Sequence, residues 1–207
     1  MDSSGHPSNP LALAVLALLF EREMHPYEMA ATMKERGKEH SIKLRYGSLY
    51  TVIAALQRDG LILARGTVRE GNRPERTVFA ITPAGTDRLT GWMTAMLARP
   101  AKEYPLFEAA LSLMPVLPPE TVAPLLEERL ARLGAAIDGL RAMLAKATEA
   151  GLPALFQIEH DYELALVEAE HRFVTGLARH IRDGSLDGLA LWRGWHADRA
   201  TEAAKMS

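Results

Sequence analysis

Apolar residues recur at helical spacing through most of this chain, and the period shortens in only one stretch. Leu11 to Phe20 is apolar throughout, and Asn9-Pro10 precedes it. Asn supplies a cap for free backbone amides, and Pro sits where no amide is needed, so a buried helix is predicted from Pro10 to about Glu23. His25-Pro26 restarts the chain. Tyr27, Met29, Ala30 and Met33 predict a second helix to about Arg36, closed by Gly37. After a connection through His40 to Arg45, Leu49, Val52, Ile53 and Leu56 fall at i, i+3, i+4 and i+7. That is one apolar stripe of a third helix, which stops at Gly60. Its opposite face carries Gly47, Thr51, Ala54 and Arg58, flanked by Ser48, Tyr50 and Ala55. Three helices with short joins are the helix-turn-helix pattern, and a helix that lies in a major groove needs such a thin outer face.

The period then changes. Leu63 to Arg69 alternates, with Ala64 and Val68 on one side and Arg65, Thr67 and Arg69 on the other. Thr77 to Ile81 alternates again, with Phe79 and Ile81 inward. Gly71-Asn72-Arg73-Pro74 is turn chemistry, so the pair reads as a two-stranded wing. Thr82-Pro83 caps a fourth helix to about Ala98, and Pro100 breaks it.

From Tyr104 onward the texture is that of long helices. Leu126, Leu130, Leu133, Ile137, Leu140 and Leu144 form a heptad-spaced seam through a helix of about thirty residues. A turn at Gly151-Leu152-Pro153 leads to a second long helix ending near Arg182. It carries Leu155, Ile158, Tyr162, Leu166, Ala169, Phe173, Leu177 and Ile181 on one side. A single hairpin cannot cover both seams. Either a second copy completes it, which makes a homodimer the economical arrangement, or the hairpin folds back on the winged unit. The fold class is therefore mainly α. A winged helix-turn-helix domain with its linking fourth helix is expected over 9–100, and a C-terminal helical dimerisation and effector domain over 101–207.

Composition adds little until it is localised. The 207 residues carry a net charge of −2, which does not suggest a nucleic-acid partner. Between Lys34 and Arg76, however, there are ten Lys/Arg against five Asp/Glu, a surplus of +5 that leaves −7 for the rest. A basic segment on an acidic body suits a protein that presents one face to phosphate, although ordinary surface charge gives the same count. Cysteine is absent, so disulfides, thiolate metal sites and a cysteine nucleophile are excluded. The apolar run at Leu11 is half the roughly twenty residues a bilayer requires, and it has neither a charged leader nor a cleavage site, so neither a signal peptide nor a membrane partner is expected.

The segments YGSLYTVIAALQRDGLI (Tyr46 to Ile62), GNRPERTVFAITPAG (Gly71 to Gly85) and HPYEMAATM (His25 to Met33) closely resemble the PadR family of winged-helix transcriptional regulators. The resemblance is strong over residues 9 to 92 and beyond that rests on architecture. It implies a cytoplasmic, nucleoid-associated homodimer, joined through its C-terminal helices and bound to an inverted-repeat operator in double-stranded DNA. It implies most often a repressor, sometimes an activator, and release by a small molecule or stress signal that reaches the C-terminal domain. Carried over, the recognition-helix positions are Tyr46, Gly47, Ser48, Tyr50 and Thr51, and the wing positions are Asn72, Arg73 and Arg76. This chain has Arg45 where family members often have Ser or Asn. The change loses a helix cap worth about 1 kcal/mol and sets a cation beside the groove.

Several residues carry two readings. Ser48 and Thr51 donate to base edges or phosphates, or Ser48 simply caps the helix. Tyr50 packs its ring or reaches a phosphate with its hydroxyl, and Tyr27 divides in the same way. Arg73 and Arg76 are the first candidates for phosphate or minor-groove contact, with Lys43 and Arg45 next. Glu168 and His171 have the spacing of a carboxylate-bridged metal motif, but only Gln157-x-x-His160 accompanies them, so no metal or other cofactor is expected. Trp92, Met96, Trp192 and Trp195, with Met93, are candidates for a planar effector or else packing anchors. No phosphate loop, nucleophile elbow or acid/base pair is present, so an enzyme is not expected. The competing reading is a ligand-sensing or protein-interaction module that uses the winged fold without an operator.

Overall fold

The computed structural model describes residues 9–38, 42, 46–68 and 76–206, and the chain divides into two compact units, the first reaching Lys102 and the second beginning at Glu103.

The first unit contains α1 (Pro10–Glu21), α2 (Pro26–Glu35), α3 (Tyr46–Arg58), β1 (Ile62–Val68), β2 (Arg76–Ile81) and α4 (Pro83–Ala98). Caps place the helix starts where the sequence puts them. The Asn9 side chain accepts from the Leu11 amide, and Thr82 accepts from the Gly85 amide, each followed by Pro at the first helical position. His25 also caps: its Nδ1 accepts from the Glu28 amide at 3.0 Å. Leu11, Leu16, Met24, Met29, Met33 and Leu49 are essentially fully buried in one core, joined by Val52, Ile53 and Leu56 from α3 and Phe79 from β2.

The strands pair antiparallel with Ile62 opposite Ile81 and Ala64 opposite Phe79. The register then slips so that Gly66 faces Val78, leaving Arg65 as the extra residue of a bulge. Simple alternation along Leu63 to Arg69 therefore breaks at Arg65. Phe79 is buried and Ile81 half-buried, but Ala80 is buried as well. Met24, just ahead of α2, exchanges two backbone hydrogen bonds with Phe79, so the start of α2 is tied to β2.

The second unit contains α5 (Leu106–Ser112), α6 (Pro119–Glu149), α7 (Ile158–Arg182) and α8 (Leu189–Met206), with short 3-10 turns at Met114–Val116 and Ala154–Phe156. α6 and α7 form an antiparallel hairpin. Ion pairs Arg129–Glu170 (2.5 Å), Arg141–Glu168 (2.7 Å) and Arg182–Glu127 cross it. Its core joins Val122 and Leu126 of α6 to Val174, Ala178 and Ile181 of α7 and to Leu189 and Trp192 of α8. The α6 seam is covered or half-covered along its length. The α7 stripe is not. Ile158, Tyr162, Leu166, Ala169 and Phe173 are exposed, as is Leu155 just before the helix. At 100° per residue those five α7 positions share an arc of about 80°, whereas Leu177 and Ile181 fall at about 100° and 140° from Ile158. The last two enter the core, and the rest of the stripe faces away from α6.

Candidate nucleic-acid interface

The sequence from Leu49 to Leu61 fixes how α3 is held. Leu49, Val52, Ile53 and Leu56 are buried, while Gly47, Ser48, Tyr50, Thr51, Ala54 and Arg58 are exposed. The outer face thus carries small side chains apart from Tyr50, which is 57% exposed, and Arg58 in the last turn. The Thr51 hydroxyl donates to the Gly47 carbonyl one turn back at 3.0 Å. Its hydrogen is spent there, so in this rotamer Thr51 offers a partner a methyl group and acceptor lone pairs.

The far end of α3 is locked. The Gly60 amide donates to the Gln57 carbonyl and the Leu61 amide to the Leu56 carbonyl, closing the helix through Gly60 at φ +70°. Thr82 then fastens this corner to α4. Its amide donates to the Leu61 carbonyl, its hydroxyl donates to the Gly60 carbonyl at 2.8 Å, and the Thr82 Oγ1 itself accepts from the Gly85 amide at 3.0 Å. Gly85 sits so near that a Cβ there would lie 2.1 Å from the Leu61 carbonyl oxygen. The Thr-Pro-Ala-Gly run is therefore a clamp between the end of α3, the start of β1 and α4. Thr82→Ala is expected to cost about 1 kcal/mol, the usual worth of an N-cap, and to lower the thermal midpoint by several degrees, whereas Thr82→Ser keeps most of the stability.

Several described cations of the basic window are already paired. Arg36 forms a two-pronged contact with Glu21 at 2.5 and 2.7 Å, Arg58 meets Asp59 at 3.1 Å, and Arg65 meets Glu23 at 3.3 Å. Just outside the window Arg22 pairs with Glu28 at 2.5 Å. Hydrogen bonds from Arg36 and Arg22 hold the Glu21 and Glu28 carboxyls below the usual carboxylate range. Both pairs stay ionised at neutral pH, and their contribution is lost only as pH falls through those depressed values. Lys43, Arg45, Asn72 and Arg73 lie outside the described residues, as do the side chains of Tyr46 and Arg76.

The aromatic candidates divide between the units. Trp92, in the first, is half-buried against the core, and the Arg88 guanidinium carbon lies 5.6 Å from its ring centroid; Met93 and Met96 are more exposed. Trp192, in the second, is a core residue whose indole N–H donates to the Leu117 carbonyl at 2.8 Å. Trp195 is 46% exposed and borders a shallow depression with Leu191, Gly194 and Pro115. Glu168 is engaged by Arg141, and the buried Gln157 donates to the Leu152 carbonyl, sealing the turn before α7. Among the described residues no group of three or more His, Asp or Glu is placed to hold a metal ion, and no helix is long and apolar enough to cross a membrane.

Sequence reasoning passed over His25 as a cap and Thr82 as a double tie. The signal for His25 was the Pro that follows it, the same signal that reveals Asn9 and Thr82.

A three-helix core with the third helix presented outward and a two-stranded wing beside it defines a winged helix-turn-helix protein. Residues 15–91 form a domain of the transcriptional regulator PadR-like family. Solved structures agree on the fold. Bacillus subtilis PadR in complex with operator DNA is similar at 18% identity, covering 83% of this chain and 99% of that one, with a TM-score of 0.68. The Vibrio cholerae virulence activator AphA matches at 18% identity over 84% and 98%, with a TM-score of 0.64. Bacillus subtilis PadR in complex with p-coumaric acid matches at 16% identity over 85% and 99%, also with a TM-score of 0.64. No curated protein matches this chain significantly.

Proposed function

We propose that the protein is a homodimeric, operator-specific transcriptional regulator that acts as a cytoplasmic repressor. The observation that carries this reading is the outer face of α3, made of Gly47, Ser48, Tyr50, Thr51 and Ala54 and fixed from behind by a buried apolar stripe. Phosphate contacts position such a helix and base-edge contacts specify the sequence. Thr51 reads base edges, Ser48 donates near the helix start, and Lys43, Arg45, Asn72, Arg73 and Arg76 supply salt-sensitive affinity around them. The uncovered α7 stripe supports a second copy as its cover, because a contiguous exposed apolar surface on a soluble chain marks an interaction site. Two joined copies would set their recognition helices about 34 Å apart, reading successive major grooves of an inverted repeat.

Gel shifts with the region upstream of the protein's own gene test this directly. A salt-sensitive shift that survives competitor DNA is expected; none with any neighbouring promoter overturns it. Arg73→Ala and Arg76→Ala are expected to weaken binding to every duplex and each reduce the salt slope by about 1. Thr51→Val keeps the bulk but loses the acceptor, so it is expected to change sequence preference without changing that slope.

Release by an effector belongs to the same proposal. A small molecule that binds the helical unit, with Trp195 as its exposed aromatic surface, shifts the protein only through differential affinity for two dimer geometries. Thermal-shift screening against planar aromatics followed by gel shift tests it; compounds that stabilise the protein but leave DNA affinity unchanged contradict it.

The competing reading, a winged module without an operator, draws on the pairing of Arg36, Arg58 and Arg65 with carboxylates, which removes cations from the presenting surface. The same gel shift separates the two.

A further inference from the structure

A cleft of about 460 Å³ opens between the start of α2, α3 and β2. Ile53 and Phe79 form its buried floor, and His25, Tyr27, Tyr50 and Thr77 form its rim. Tyr27 and Tyr50 are both more than half exposed. The cleft is firmly built. The paired hydrogen bonds between Met24 and Phe79 fix the start of α2 against β2, and the His25 ring caps α2 from within the rim. None of the lining residues among those described is a cation, and the neighbouring Arg22 is engaged by Glu28.

We infer that this cleft holds the sugar-phosphate strand of DNA that separates the major groove from the adjacent minor groove, gripped by neutral donors. The inference rests on the DNA-binding reading above and deepens it. With α3 in the major groove and the wing at the neighbouring minor groove, the strand dividing those grooves must cross the gap between α3 and β2. The residues edging that gap are Tyr50 on α3 and Thr77 on β2, with Tyr27 and His25 beside them. Tyrosine and threonine hydroxyls donate to phosphate oxygens, and the ring faces pack on deoxyribose. With its Nδ1 lone pair accepting from the Glu28 amide, neutral His25 carries its proton on Nε2, which makes that atom a donor.

Neutral donors leave a signature that cations do not. Phosphate contacts made by Lys or Arg release counterions and set the salt slope, whereas hydroxyl contacts add affinity without changing it. The effect is also independent of sequence, because no base is touched. The test is fluorescence anisotropy with two labelled duplexes, the region upstream of the protein's own gene and a scrambled duplex of equal length, over a series of salt concentrations. Tyr27→Phe, Tyr50→Phe and Thr77→Val each remove one hydroxyl and keep the packing volume, and melting curves check that each variant folds. Each is expected to weaken both duplexes by the same factor, about five-fold for one hydrogen bond, with the salt slope unchanged. Unaltered affinity in all three folded variants, with the wild-type protein binding normally, overturns this inference alone. A changed salt slope or loss confined to the upstream duplex also overturns it. Failure of the wild-type protein to bind either duplex removes the DNA reading and this inference together.

Discussion

Leu166→Glu is expected to yield a folded monomer and to lower affinity for the upstream duplex at least about 100-fold. Leu166 lies midway along the length of the exposed α7 stripe, at one edge of its arc between Tyr162 and Phe173 in sequence, and is half exposed in the single chain. Glutamate is a good helix former at an exposed position, so the subunit itself loses little. Burying the carboxylate against an apolar partner surface carries a penalty of several kcal/mol, enough to separate a dimer at micromolar concentration. Once separated, each copy binds one half-site without the effective concentration its partner provided. That advantage is commonly worth factors of about 10² to 10⁴. Sedimentation equilibrium reads the first effect and anisotropy the second. If the variant remains dimeric, α7 is not the joining surface.

Gly85→Ala is expected to destabilise the first unit by about 1 to 3 kcal/mol or more, the range for forcing an extra methyl into a packed site. The added Cβ would lie 2.1 Å from the Leu61 carbonyl oxygen and 2.8 Å from Ile81 Cγ1. The first neighbour is backbone and cannot turn aside. Relief requires α4 to move away from the corner where α3 ends and β1 begins, and the ties from Thr82 to Gly60 and Leu61 resist that movement. A loss of this size lowers the thermal midpoint of a domain this small by roughly 5 to 20 °C. Gly91, also in α4, is the internal control. A Cβ there meets nothing within 4 Å, so Gly91→Ala is expected to be neutral or stabilising by up to about 1 kcal/mol. Thermal unfolding followed by circular dichroism separates the two, and equal midpoints for both variants would contradict the close approach at Gly85.

Much of the N-terminal unit is legible in the sequence because its signals are local. Asn9-Pro10 and Thr82-Pro83 announce helix starts through capping chemistry, Gly60 announces a stop, and the Leu49–Leu56 spacing defines a buried stripe without reference to any partner. What escapes is what depends on a partner far along the chain. The Arg36–Glu21 pair and the ties from Thr82 to the end of α3 join residues that no spacing rule connects. The bulge at Arg65 breaks an alternation that looked regular. On α7 the apolar residues span so wide an arc that periodicity supplies two stripes. One, through Val167, Val174 and Ala178, faces the core side; the other contains Tyr162 and Leu166. Choosing between them requires α6 in place. α8 has Leu189 and Trp192 turned inward while Leu191 and Trp195 stay out, so no single stripe advertises it.

The outer α3 face was legible as a surface but not as a working site. Small exposed residues follow from the pattern, whereas the spent hydroxyl hydrogen of Thr51 and the cleft beside Tyr50 follow only from three-dimensional placement.

Footprinting on the DNA upstream of the protein's own gene is the most direct measurement. Two joined copies, each inserting one α3, should protect two inverted half-sites whose centres lie about one helical turn, roughly 10 base pairs, apart on the same side of the duplex. A single protected segment, two segments on opposite sides, or no protection at saturating protein would contradict twin recognition helices held at a fixed separation.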